Sequence, residues 1–172
     1  KNATSHAVRW CPGRVAQKAW QYLHWPPYER FCGKADVFHF PNFIVPPVKR
    51  GHCVVTIHDM SFIRHPECAE ARNRQYLARR IHDPAARAHA IMTDSHFSAA
   101  EIRELLPVAR DRVFPIHLGI DESFTHPGDP AVRDARTKYG LDRPYLLTVG
   151  TIEPRKNLTF MVEVFEQLAD FD

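Results

Sequence analysis

Two adjacent cations, Arg155 and Lys156, lie in the stretch GTIEPRKN, between the apolar run PYLLTV and a segment with helical spacing. In open parallel sheets, ligands bind at such strand-to-helix turns, beyond the carboxyl ends of the strands. Gly150 would let a ligand approach the backbone, and the free N–H groups of a helix start favour a phosphate. The two cations could therefore hold a diphosphate, with Asn157 as the N-cap of the helix. The alternative is a solvated helix start, although cations at this end of a helix are mildly unfavourable.

His58 and Asp59, in the stretch TIHDMSF, directly follow an apolar run and so occupy the carboxyl end of another strand. A His–Asp pair at this position can hydrogen-bond a polyol or transfer protons. From the residues alone, however, a loop histidine beside a helix-capping aspartate is the favoured interpretation. Ser95 and His96, in TDSHFS, could reach a ligand at the same sheet edge, but helix initiation explains them more simply.

These candidates need strands and helices to position them, and the pattern of apolar residues predicts such elements. Strands are predicted at residues 35–40, at residues 52–57, in AIMTDS and in RVFPI. Helices are predicted at residues 14–25 and 68–89, and from SAAE, which has capping-box form at Ser98, to before Pro107. The alternation of strands and helices predicts an α/β domain with a parallel sheet.

The helices predicted at residues 14–25 and 68–89 allow further predictions. On the first, Val15, Ala19, Tyr22 and Leu23 fall on one apolar face, and the prolines of WPP end the helix. Within the second, Pro84 should kink the helix or split it. The arginines of the second helix do not form one stripe, so a solvated face is favoured over binding to anionic lipid. These arginines are Arg72, Arg74, Arg79, Arg80 and Arg87.

The domain organisation changes at the stretch GIDESFTHPGDPA, where glycine, proline and acids replace the apolar periodicity. We interpret residues 119–142 as an interdomain connection, with a short polar helix at residues 131–139 that Gly140 ends. Residues 1–118 then form a first domain, short at its front, and residues 143–172 form the first strand and helix of a second. Because one strand and one helix cannot bury a core, we expect the chain to be a piece of a longer protein.

The composition disfavours several classes of protein. The chain has 172 residues, of which 44% are hydrophobic and 25% charged, as in soluble globular proteins. No apolar run approaches the ~20 residues that a membrane-spanning helix needs. The net charge of +3 is mild and spread out, which disfavours a nucleic-acid or membrane-surface protein. The four cysteines have no C-x-x-C spacing and no zinc motif is visible, so we expect reduced thiols and no metal.

Four stretches, in this order, resemble family 4 of the retaining glycosyltransferases, also called group 1: VVTIHDMSF, AIMTDSHFSAAEI, HLGIDESF and YLLTVGTIEPRKNL. The resemblance covers residues 35–172, and its last motif is most similar to the bacterial mannosyltransferases of the family. It implies a GT-B architecture of two Rossmann-like α/β domains, with the acceptor held mainly by the first domain and the nucleotide-sugar donor by the second. It also implies a cytoplasmic enzyme without a nucleic-acid partner, and leaves peripheral contact with the inner membrane surface open.

For the second domain, the resemblance implies a grip on the donor. Arg155 and Lys156 would hold the diphosphate and stabilise its charge as it leaves, without a metal. Gly150 would let the diphosphate approach, and Thr151 is a further expected substrate contact. GDP-mannose is the first choice of donor.

For the first domain, the resemblance implies contacts with the transferred sugar. His58 would touch that sugar, with Asp59 beside it as a second catalytic residue, and Ser95 is a further expected substrate contact. The anomeric configuration would be retained, and the acceptor would be a glycan or a lipid-linked molecule, as in polysaccharide biosynthesis.

Parts of the family pattern are not in this chain. The early glycine-rich loop is missing, the later E-x7-E motif would lie beyond Asp172, and some members have an arginine where this chain has Thr151. We therefore expect the 172-residue chain alone not to transfer sugar. The alternative to an enzyme is a non-catalytic module that binds a nucleotide or a phosphorylated ligand through Arg155 and Lys156, without a need for His58.

Overall fold

The computed structural model of the chain describes residues 4–5, 8–68, 71–125 and 128–168. The chain divides into two compact units, Lys1–His117 and Leu118–Asp172. Among the described residues, no helix is both long enough and apolar enough to cross a membrane.

The first unit contains a four-stranded parallel sheet in the order β1-β2-β3-β4. Its strands are β1, Val37–Phe40; β2, His52–Thr56; β3, Ala90–Thr93; and β4, Val113–Pro115. Apolar residues from the strands and flanking helices, such as Val55, Ile91 and Ile102, are fully buried. Continuous apolar strands are typical of parallel sheets that are covered on both faces. The predicted α/β fold with a Rossmann-like parallel sheet is therefore confirmed.

Six helices belong to the described part of this unit: α1, Gly13–Leu23; α2, Glu29–Cys32; α3, Ser61–Arg64; α4, Ala71–Arg80; α5, His82–Arg87; and α6, His96–Leu105. Helices α3 to α5 form the crossover from β2 to β3, and α6 connects β3 to β4. Parallel strands need such crossovers, because a tight turn cannot return the chain to the same end of the sheet. The short helices α2 and α3 were not predicted.

The predicted apolar face of α1 is wrong. Three of its four residues are exposed: Val15, Tyr22 and Leu23. Ala16 is buried instead, and Trp20 packs with its ring centroid 5.8 Å from that of Tyr28 and 5.3 Å from that of Phe31. The large ring of Trp20 therefore decides which side of the helix faces the protein, and Val15, Tyr22 and Leu23 are left in solvent.

The predicted split of the long helix is confirmed, since α4 ends at Arg80 and α5 begins at His82. Pro84 is the third residue of α5, in the first turn, where a backbone N–H has no helical partner. The proline therefore fits the start of α5, and the break falls just before that helix. The side chains of residues 71–74, including those of Arg72 and Arg74, lie outside the described part of the chain.

The second unit contains α7, Asp129–Tyr139; a 3-10 turn, Pro154–Lys156; and α8, Leu158–Leu168. Gly140 ends α7 in the left-handed conformation (φ 63°), as predicted. The predicted strand in YLLTV is wrong, because residues 144–149 pair with no other segment of the described chain. A strand is stabilised by ladder partners, and the described residues of this unit provide none.

We expect Gly51→Ala to destabilise the first unit by about 1–3 kcal/mol. Gly51 ends the loop between β1 and β2 with φ 94°, and a Cβ there would lie 2.5 Å from the carbonyl oxygen of Ala35. The matched control is Gly13→Ala at the start of α1, where a Cβ would meet no atom within 4 Å. The measurement is the midpoint of urea unfolding for both variants. Equal midpoints for Gly51→Ala and the unsubstituted protein would contradict this account of the loop.

Candidate active site

The pairing of β2 with β3 brings together two of the stretches singled out in the sequence, TIHDMSF and TDSHFS. Thr56 lies beside Met92, and the next bond runs from the backbone N–H of Ile57 to the carbonyl oxygen of Met92 (2.9 Å). In a parallel pair this register continues in step past the strand ends. Residues 58 and 94 therefore emerge next to each other at the carboxyl edge of the sheet, although 36 positions separate them along the chain.

His58 forms a hydrogen-bonded pair with Asp94 at this edge. The distance from His58 Nδ1 to Asp94 Oδ2 is 2.8 Å, and His58 Nε2 lies 3.2 Å from the carbonyl oxygen of Pro41. The hydroxyl of Thr93 also donates to the backbone carbonyl of His58, at 3.4 Å. The ring is thus held from two sides, while its side chain stays 49% exposed.

Both partners of the His58 ring accept hydrogen bonds and cannot donate them, since one is a carboxylate and the other a backbone carbonyl. The ring makes both bonds only when both of its nitrogens carry a proton. A carboxylate is the stronger acceptor of the two, so Asp94 orients the ring through Nδ1. An incoming hydroxyl group can compete with the Pro41 carbonyl for Nε2, which leaves this nitrogen as the one that can serve a ligand.

Asp59 is not hydrogen-bonded to His58 in the described structure, and its contacts fit the helix-capping aspartate that the residues alone favoured. Its Oδ1 accepts hydrogen bonds from the backbone N–H of Ser61 (2.9 Å) and from the Ser61 hydroxyl (2.6 Å). Asp59 therefore fixes the start of α3, which is the simpler interpretation that its position allowed. Asp94 was missed, although it follows the strand next to that of His58 in the stretch TDSHFS.

Ser95 acts as the N-cap of α6. Its hydroxyl oxygen accepts from the backbone N–H of Ser98 (3.0 Å) and lies 3.1 Å from the Ser98 hydroxyl. The predicted helix start at Ser98 is wrong, because α6 begins at His96, two residues earlier, and Ser98 is buried inside its first turn. The ring of His96 lies near that of His117, with 5.7 Å between the centroids.

An ion-pair network ties α3 to α6. The Nε of Arg64 lies 3.0 Å from Glu101 Oε1, and the guanidinium also pairs with Glu104. Hydrogen bonds to Glu104 and Glu101 raise the pKa of the Arg64 guanidinium. Because α3 follows His58 and α6 follows Asp94 along the chain, this network holds together the two helices behind the pair.

The predicted diphosphate grip lies in the second unit, on the 3-10 turn that precedes α8. Lys156 has no ion-pair partner within the described residues, and a Cβ on Gly150 would lie 3.8 Å from its Cε. Arg155 is paired instead, with its Nη2 2.7 Å from Glu153 Oε1. Thr151 donates to the same carboxylate oxygen at 3.0 Å. The turn therefore presents one unpaired cation and one that a neighbouring acid partly neutralises.

Asn157 lies between this turn and α8. Its carbonyl oxygen accepts the backbone N–H of Met161 at 3.2 Å, as an N-cap carbonyl does. Its φ of 48° is left-handed, a conformation that asparagine tolerates better than most residues. The two cations thus precede α8 instead of forming its first turn.

Within the part of the chain that the structure describes, no group of three or more His, Cys, Asp or Glu side chains is placed to hold a metal ion. All four cysteines are free thiols.

Comparison with known proteins supports the resemblance of the chain to glycosyltransferases. No protein-family model matches the chain. The chain is similar to the O-antigen chain mannosyltransferase B of Escherichia coli, at 29% identity over 136 residues, which are 78% of this chain and 35% of that protein. It is also similar to the serotype-specific mannosyltransferase WbdA of Escherichia coli, at 32% identity over 84 residues, which are 48% of this chain and 10% of that protein. The chain thus spans about a third or less of the length of these relatives. Both relatives are mannosyltransferases by name, which supports the similarity of this chain to glycosyltransferases.

We expect Asp94→Asn to change the orientation of the His58 ring and the hydrogen bond at its Nδ1, because a neutral amide replaces a charged acceptor. The measurement is the pair of ¹⁵N chemical shifts of the His58 ring. Stability should fall by about 1 kcal/mol or less, since the pair is half exposed. Asp59→Asn is the matched control and should leave the His58 shifts unchanged. Unchanged shifts in Asp94→Asn would contradict the positioning role of Asp94.

Proposed function

We propose that the protein containing this chain is a retaining glycosyltransferase of GT-B architecture. It transfers a hexose, with mannose as the first choice, from a nucleotide-diphosphate sugar to a glycan or lipid-linked acceptor. The observation that carries the proposal is the His58–Asp94 pair at the carboxyl edge of a parallel sheet, the edge where ligands of such sheets bind. The likeness to two mannosyltransferases supports the choice of reaction.

In this proposal, the first unit contacts the transferred sugar. Nε2 of His58 donates a hydrogen bond to a sugar hydroxyl in place of the Pro41 carbonyl. Asp94 keeps the ring in position through Nδ1, and Asp59 contributes by fixing the start of α3 behind the histidine. Ser95 is the further proposed contact with the substrate. Its hydroxyl also accepts the backbone N–H of Ser98, so the start of α6 fixes its position.

The second unit supplies the grip on the donor diphosphate. Lys156 provides an unpaired charge, and Gly150 beside it leaves the backbone accessible. Arg155 can bind the diphosphate by exchanging its bond to Glu153, and Thr151 shares that carboxylate. Negative charge develops on the diphosphate as the bond to the sugar breaks, so cations placed beforehand lower the barrier. No metal takes part in this scheme.

A non-catalytic nucleotide-binding module is the second candidate function. The observation that favours it is that both cations lie on one exposed turn of the second unit. Such a module would bind a nucleotide through these cations alone. The two functions therefore differ in what they require of His58.

The donor class can be set by calorimetric titration of GDP, UDP and ADP, with and without their sugars, into the full-length protein. We expect one nucleotide to bind, and Lys156→Ala to weaken it about 10- to 100-fold, because a charge-assisted bond is worth roughly 1.5–3 kcal/mol. The matched control is Lys138→Ala, another lysine of the second unit, in α7. If no nucleotide binds to the folded protein, the transferase proposal loses its main support.

His58→Ala separates the two candidate functions. We expect the variant to lower the rate of sugar transfer at least tenfold, within the range of positioned proton-transfer and hydrogen-bonding groups, while nucleotide affinity stays within about twofold. His82→Ala, at the exposed start of α5, is the matched control. Normal transfer by His58→Ala would refute the catalytic assignment, and nucleotide binding without any transfer activity would favour the binding module.

A further inference from the structure

A second concave site lies in the first unit, between α1, the loop that follows β1, and helices α4 and α5. The cavity has a volume of about 450 Å³, and its lining includes Gln17, Trp20, Val45, Tyr76, Arg79 and Arg80. Small-molecule sites in proteins span about 300–1,000 Å³, so the cavity can hold a ligand of the size of a sugar phosphate. None of the residues assigned to the proposed reaction lines it.

The charges around this cavity are unbalanced. Asp83, the acid in its lining, pairs with Arg87 at 2.5 Å, and the same guanidinium donates to the carbonyl oxygen of Val45 at 2.6 Å. Arg87 is therefore committed to holding α5 against the loop. Arg79 and Arg80 line the same cavity and have no carboxylate partner in the described part of the chain. Arg80 lies instead over the ring of Tyr76, 4.8 Å from its centroid.

Two guanidinium groups that pair with no carboxylate favour an oxyanion, because the acid in the same lining, Asp83, is already paired with Arg87. Arginine matches phosphate because its planar fork can donate two parallel hydrogen bonds. The stacking of Arg80 on Tyr76 holds this guanidinium by its face, which leaves its N–H edge available for hydrogen bonds. The site is thus built for a phosphate group at the α4 side.

The α1 side of the cavity has a different chemistry. The indole N–H of Trp20 already donates to the carbonyl oxygen of Pro26 at 2.8 Å, so its ring offers the cavity an apolar surface. Gln17 and Gln21 add amide groups that can both donate and accept hydrogen bonds. An apolar ring beside groups of both hydrogen-bonding kinds suits a pyranose, which carries C–H faces and hydroxyl groups together.

We propose that this cavity binds a phosphate-bearing saccharide, with the phosphate on Arg79 and Arg80 and the sugar between Trp20 and the two glutamines. The identity of the sugar as mannose rests on the proposed function. The phosphate part rests only on the cavity and its charges. The lining residues of the cavity belong to the first unit, whereas the residues of the diphosphate grip belong to the second unit.

The test uses the full-length protein with Lys156→Ala in place, so that the proposed donor grip does not contribute. Mannose 1-phosphate, inorganic phosphate and mannose are titrated separately by calorimetry. We expect mannose 1-phosphate to bind more tightly than either of its parts. Arg79→Gln/Arg80→Gln should weaken it at least tenfold, and Arg110→Gln, an exposed arginine outside the cavity, should leave it unchanged. Thermal unfolding of each variant checks that the fold is intact.

Three outcomes would overturn the proposal. The first is that the double variant binds mannose 1-phosphate as tightly as the protein with both arginines. The second is that mannose 1-phosphate binds no more tightly than inorganic phosphate. The third is that the protein binds phosphatidylglycerol vesicles through the arginines but does not bind the sugar phosphate. The last result would assign the arginines to a membrane surface. A separate nucleotide titration uses the arginine double variant with Lys156 intact. The double substitution should not alter nucleotide affinity there, so failure of the cavity proposal can be told apart from failure of the proposed function.

Discussion

The parallel pairing of β2 with β3 is the constraint on which the rest of the first unit depends. Val55, Ile57 and Ile91 along this pair are completely buried, so a shift by one residue would move apolar side chains to the wrong face. The register is therefore set by burial, not by the polar residues at its end. The proximity of His58 to Asp94 is a consequence of a hydrophobic alignment made several residues earlier.

Six cations of the described residues show how a cation with an acid partner differs from one without. Three arginines are paired with acids within the described residues: Arg64, Arg87 and Arg155. Arg64 joins α3 to α6, and Arg87 joins α5 to the loop that follows β1, so both stabilise the fold. Arg79, Arg80 and Lys156 are among the described cations without such a partner, and each of these three lies beside a cavity or an accessible backbone. Unpaired charge in a concave or open setting is a better guide to ligand binding than charge alone.

Much of the first unit could be predicted from the sequence, because its strands are short apolar runs bounded by turn residues. The partner of His58 could not be predicted in the same way. Asp59 is adjacent in sequence and chemically suitable, but the backbone at the end of β2 directs it to Ser61. Asp94 becomes the partner only through the register of two strands, a relation that no local pattern contains.

Two errors have a similar cause. The face of α1 was predicted from spacing, whereas the contacts of Trp20 with the rings of Tyr28 and Phe31, which follow the helix in the chain, decide it. The segment YLLTV has the composition of a strand, but a strand exists only where another strand pairs with it. Local sequence therefore predicted which residues are apolar, and tertiary partners determined what those residues became.

The crossover between β2 and β3 has a bearing on how such a site can be found in other proteins. The two members of the pair lie within two residues of the ends of adjacent strands, and the chain between them runs through α3, α4 and α5 and then along β3. The length of that connection does not enter into the register, so it can vary without separating the pair. A search pattern for equivalent sites should therefore fix the position of each residue relative to its own strand end and leave the gap between them open.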